Sequence, residues 1–218
     1  MTPEQRELVK QLARYQGHIP ISRDEFLNRY PATDGAQLGR DLLREAIADR
    51  DPTRFVLAMT LGDSFGAIDA SLAPTLAELT YEDWHQSNEW VVDLLDDLRD
   101  PTTVPALLQA ARWLPDYMLQ EDEVRALAVK AVWALRHNPS PDAIDALREL
   151  TTHEHPNIAW NATERLHERC VMTTSGGKPA LLAHVQRIHA AGADRAAFLA
   201  LVQRSQPGPF SRGRRGPT

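Results

Sequence analysis

Two stretches of this chain copy one another. "DPTTVPALLQAA" runs from Asp100 to Ala111, and "SPDAIDALREL" runs from Ser140 to Leu150, with their starts 40 residues apart. Each follows a second helical pattern, "NEWVVDLLDDL" (Asn88 to Leu98) and "VRALAVKAVWAL" (Val124 to Leu135). At an offset of 37, Val91, Leu94, Leu95 and Leu98 fall on Ala128, Ala131, Val132 and Leu135. A third copy, "NIAWNATERL" (Asn157 to Leu166), fits either at 34, with Val124 over Ile158, or at 31, with Leu127 over Ile158. A unit of this length cannot bury its apolar face alone, so a period of a few tens of residues requires neighbours to stack.

The rest of the pattern is helical as well. Thr2-Pro3-Glu4-Gln5 carries a cap, a proline at the first helical position and the reciprocal Gln of a capping box. Ser22-Arg23-Asp24-Glu25 follows the same logic, and Asp51-Pro52, Asp100-Pro101 and Ser140-Pro141 are further cap-plus-proline starts, with His155-Pro156 a weaker one. Apolar residues spaced by threes and fours follow each start, and no period-2 strand is found. The expected fold class is all-α, an α-α superhelix of stacked antiparallel helix pairs. The expected helices are 3–15, 22–29, 36–49, 52–65, 71–80, 83–99, 101–113, 121–137, 141–151, 156–169, 178–191 and 194–204. Residues 1–204 read as one helical repeat domain. The Pro/Gly/Arg-rich end, 205–218, reads as a disordered basic tail.

Charge narrows the function classes. The 24 Lys and Arg against 30 Asp and Glu leave a net charge of −6, the opposite of a nucleic-acid footprint. The single cysteine, Cys170, leaves no disulfide to form, and with no apolar leader segment at the start the expectation is a reducing cytoplasm. No apolar run is long enough to span a bilayer.

The "DPxxVPAL" opening of one helix and the "VRxxAxxAVxxL" of the next resemble HEAT repeats, over about Leu72 to Arg169. The resemblance implies paired helices in a right-handed arc, with the second helix of each pair on the concave side. It implies an interaction module, and HEAT-like bacterial proteins of this size include immunity proteins that neutralise toxins.

Helix geometry at 100° per residue then defines a candidate face. Val124, Ala128, Ala131 and Leu135 share one stripe, and Trp133 stands almost opposite, beside Ala126, Lys130 and His137. Opposite the stripe of the preceding second helix stand Glu89, Asp93, Asp96 and Asp100; in the third copy, Trp160, Asn161, Glu164 and Glu168. An aromatic ringed by acids has the composition of an interface hot spot with a polar rim. The candidate partner-binding residues are therefore Trp133, Glu89, Asp93, Asp96, Asp100, Lys130, His137, Trp160 and Glu164, and a basic protein suits them as partner. The competing account of Trp133 is that it packs a seam between repeats.

No catalytic set, metal or cofactor is called for. The His153-Glu154 and His167-Glu168 dyads are two, where iron-binding hydroxylases on a HEAT scaffold use four, so a turn and a helix end explain them. Ser175-Gly176-Gly177-Lys178 lacks the first glycine of a phosphate loop. The alternative function is a HEAT-fold DNA glycosylase using Trp133, Trp160 and Asp96, against which the acids on that same face argue.

Overall fold

The structure is a computed structural model, and it describes residues 1–14, 17–30, 32, 34–119 and 125–174. Among these residues the chain is all-helical, and no helix is long and apolar enough to cross a membrane. The helices are α1 (Pro3–Leu12), α2 (Arg23–Arg29), α3 (Gly35–Asp49), α4 (Pro52–Phe65), α5 (Ala73–Leu79), α6 (Asn88–Leu98), α7 (Val104–Arg112), α8 (Ala126–His137), α9 (Asp142–Leu150) and α10 (Pro156–Thr174). The chain divides into two units after Ala146. The expected helices at 178–191 and 194–204, and the tail from 205, lie outside the described residues.

The caps act as expected. Thr2 accepts from the Gln5 amide while the Gln5 side chain accepts from the Thr2 amide, closing the capping box. Asp51 accepts from the Arg54 amide 3.0 Å away, and Asp100 accepts from the Thr102 amide at 2.8 Å. Three helices begin at least three residues later than their apolar spacing suggests, α8 among them at Ala126 rather than 121. Pro101–Thr103 forms a 3-10 turn before α7, and α6 starts at Asn88 rather than 83. The cause of the α6 shift is a built turn, in which Gln86 takes a left-handed φ of 51° and the Ser87 amide donates to His85 Nδ1.

In the first unit α3 packs along α4. Two residues join them, so the pair can only run antiparallel. Their contact is unusually close because Gly39 meets Gly62: a Cβ built on Gly39 would lie 3.0 Å from the Gly62 Cα. The core continues through Phe55 and Met59 of α4, Leu76 of α5, Leu95 of α6, Leu107 of α7 and Leu135 of α8, all buried. Asn138, just past α8, donates to the Asp100 carbonyl (2.7 Å) at the start of the α7 segment, which makes α7 and α8 antiparallel as well.

His85 joins this core to the α5–α6 turn. Its ring is buried, stacks on Phe55 with centroids 4.7 Å apart, and meets Trp84 edge-on. Nδ1 accepts from the Ser87 amide, so Nε2 carries the proton and donates to the Leu79 carbonyl at 2.9 Å. Burial lowers its pKa below the ordinary 6.5, although the Leu79 carbonyl and the charges of Glu82 and Asp83 pull the other way. The unfolded chain therefore takes up this proton before the folded one does. The stability that His85 contributes is present above pH 6.5 and declines as the pH falls through that value toward the folded pKa. Over that window the slope is expected to be up to about 1.4 kcal/mol per pH unit for one group. Urea unfolding of wild type and His85→Gln between pH 5 and 7.5 checks it: the difference between the two curves should shrink on acidification, and a constant difference would refute the assignment.

Candidate functional site

Helices α6 and α8 lie side by side and in register. Lys130 of α8 donates to Asp93 Oδ2 at 2.5 Å and stands 3.4 Å from Glu89 Oε2. Almost two turns further on, His137 Nδ1 meets both carboxylate oxygens of Asp96, at 2.8 and 3.0 Å. Both rungs join residues whose numbers rise together, 37 and 41 positions apart, so the two helices run parallel. Arg136 Nη1 donates to His137 Nε2 at 2.5 Å, which leaves Nδ1 carrying the proton given to Asp96.

The electrostatics follow from this geometry. Burial opposes the charge on Lys130, but its hydrogen bond to Asp93 and the charges of Asp93 and Glu89 outweigh that and raise its pKa above the ordinary 10.5. These pairs are partly exposed, so each adds no more than about 1 kcal/mol to the fold. Their larger effect is to hold several long side chains in fixed positions.

Trp133 stands between the two rungs. It lies one helical turn from Lys130 on one side and from His137 on the other, and its ring meets the His137 imidazole edge-on with centroids 6.4 Å apart. It is 39% exposed, whereas Ala128, Ala131 and Leu135 across the helix are buried. The outward placement expected from the 100° arithmetic is what the helix shows. Val124, the first residue of the expected stripe, lies outside the described residues, and α8 begins at Ala126 after Arg125 takes a left-handed φ of 60°.

The other candidates divide. Glu89, Asp93 and Asp96 line the α8 side of α6, and their carboxylates meet Lys130 and His137 there. Asp100 caps the next segment: the Thr102 hydroxyl and amide both donate to it and lower its pKa. Trp160 and Glu164 belong to α10, in the second unit, both half-buried, with Glu164 paired to Arg165. Glu168, expected to face outward, is instead buried. Arg165 lies one turn before it and donates to it at 2.9 Å, and a buried carboxylate of this kind needs such a partner. His153 sits in the turn after α9, its Nδ1 accepting from the His155 amide at 3.0 Å.

Two asparagines matter that the sequence pattern did not single out. Asn88, fully buried, donates to the carbonyls of Thr80 (3.0 Å) and Glu82 (2.9 Å) and closes the α5–α6 turn. Asn138 plays the matching part after α8, donating to Asp100 and accepting from the Ser140 amide. Their only signal was position: each stands at the edge of a helix next to a turn.

No curated protein and no solved structure matches the chain. Residues 127–153 match the family model described as PBS lyase HEAT-like repeat. That segment runs from α8 through α9, a second helix followed by the first helix of the next copy. Together, this match and the packed helix pairs support a HEAT-repeat family, of the kind that suggests a protein-interaction module.

Proposed function

We propose that the ridge formed by α6 and α8 is a protein-binding surface anchored by Trp133, and that its partner presents basic side chains. The observation that carries this reading is the half-exposed indole held between two ordered polar rungs. An aromatic whose neighbours are already immobilised loses little further freedom on binding, which is the character of a hot spot. Charge favours a basic partner. Over Asn88–Asp100 and α8, five carboxylates (Glu89, Asp93, Asp96, Asp97, Asp100) stand against Arg99, Lys130 and Arg136, an excess of two negative charges. Such an excess steers a cationic surface and repels a phosphate backbone, so nothing here favours a DNA glycosylase. The narrower form of the reading is an immunity protein whose partner is a basic toxin.

Trp133→Ala tests it with two measurements. Affinity for the partner recovered with the full chain should fall at least about 30-fold, the cost of cutting a hot-spot aromatic. The fold should lose about 1 kcal/mol or less in urea unfolding, as for a residue on the surface. Unchanged affinity in a stable variant would remove Trp133 from the surface. A loss of several kcal/mol in the fold would make it a packing residue.

A further inference from the structure

The longest connection between the described helices runs from α7 to α8, over thirteen residues, 113–125. Links between packed helices usually take about 2–8 residues. This one returns to the helix before it. Its 3-10 turn, Asp116–Met118, brings the Tyr117 hydroxyl to Asn88 Oδ1, where it donates at 2.7 Å across 29 residues of chain. Asn88 is the first residue of α6, and its amide nitrogen is already committed to the carbonyls of Thr80 and Glu82. The oxygen it gives to Tyr117 is thus the second end of one buried side chain: one end closes the α5–α6 turn and the other holds the connection.

The connection is shallowly seated: among its described residues Pro115 is buried and Trp113, Leu114 and Met118 are half-buried, while Tyr117 is 37% exposed and Leu119 is 60% exposed. The turn bonds of Met118 to the Pro115 carbonyl (3.0 Å) and of Leu119 to Asp116 (3.3 Å) lie within it. Segments that are internally ordered and shallowly buried open at low free-energy cost without the rest of the domain.

We propose that residues 113–119 form a latched strap, held at the start of α6 by the Tyr117–Asn88 bond and able to open as a unit while α5 to α8 stay folded. Opening breaks the Tyr117–Asn88 bond, and water can then take the place of each partner. The strap meets α6 one residue before Glu89, which pairs with Lys130. The latch stands on its own geometry, whether or not the α6–α8 ridge binds a protein.

The test is Tyr117→Phe, which removes the hydroxyl and keeps both the ring and a chymotrypsin site. Exchange of the Met118 and Leu119 amides, and native-state chymotrypsin cleavage in the strap, should rise about tenfold, the effect of losing one hydrogen bond. Amides of α6 and α8, and the Tm, should stay as in wild type. Leu119→Ser alters the exposed side chain but not the latch, and its Met118 amide should exchange at the wild-type rate. Three results would overturn the proposal. One is a strap in Tyr117→Phe that exchanges no faster; another is acceleration spread equally over α5 to α8; the third is equal acceleration in Leu119→Ser.

Discussion

Gly39→Leu should destabilise the first unit by about 3 kcal/mol, because the leucine would have to occupy space held by the backbone of α4. A Cβ at position 39 would lie 3.0 Å from the Gly62 Cα and 3.2 Å from its nitrogen, and neither atom can rotate away. The helices must separate, and a separation wide enough for four carbons strips contact from Leu42, Leu43 and Ala46 on one side and from Ala58, Met59 and Leu61 on the other, all buried. Gly39→Ala is the informative control. Its single methyl needs a shift of a few tenths of an ångström, while replacing a helical glycine returns about 1 kcal/mol of helix propensity. The two effects nearly cancel, so the alanine variant should stay within about 1 kcal/mol of wild type in urea. A leucine variant as stable as the alanine one would show that α3 and α4 do not approach at these glycines.

Asn88→Ala is expected to cost about 2–3 kcal/mol, although it removes only a few atoms. The loss leaves the carbonyls of Thr80 and Glu82 without the amide donor that closes the turn, and the Tyr117 hydroxyl without its acceptor. Thr80 and residue 88 itself are buried, so water cannot fully replace the bonds to the two carbonyls, and an unmet buried polar group costs about 1–3 kcal/mol, whereas the Tyr117 hydroxyl is within reach of water and adds little to the loss. Circular dichroism should show the helices intact under native conditions, with the urea midpoint displaced. A midpoint within error of wild type would mean that the turn holds without Asn88.

The reach of sequence reasoning differed by kind of interaction. Helix starts were legible at Thr2, Asp51 and Asp100 because the cap and the amide it serves are two or three residues apart, and such spacing is written in the chain. Trp133 was legible as an outward residue because 100° per residue needs no knowledge of neighbours. The pairing of Glu89, Asp93 and Asp96 with Lys130 and His137 was not read. The sequence reads those acids as the polar rim of a binding face, although the offset that aligns the apolar stripes also sets Lys130 opposite Asp93. The helix boundary near 83 was missed because Trp84 and His85 fit an apolar period while serving a turn. The meeting of Gly39 with Gly62 leaves no periodic trace at all, since it depends on the separation of two helices.

The rungs between α6 and α8 also give the array a polarity. On this edge α6 offers only acids to its successor, and α8 receives them with Lys130 and His137. The coupling is therefore directional, like a plug and its socket. A further copy inserted between these two helices would have to present bases toward α6 and acids toward α8. A plain duplicate of α5–α6, whose second helix (Asn88–Leu98) carries no Lys, Arg or His, would leave the acids of the first α6 without bases to meet them. Lengthening the array at this point thus requires a segment whose two edges differ in sign, whereas the apolar stripe alone would accept any copy of the right period.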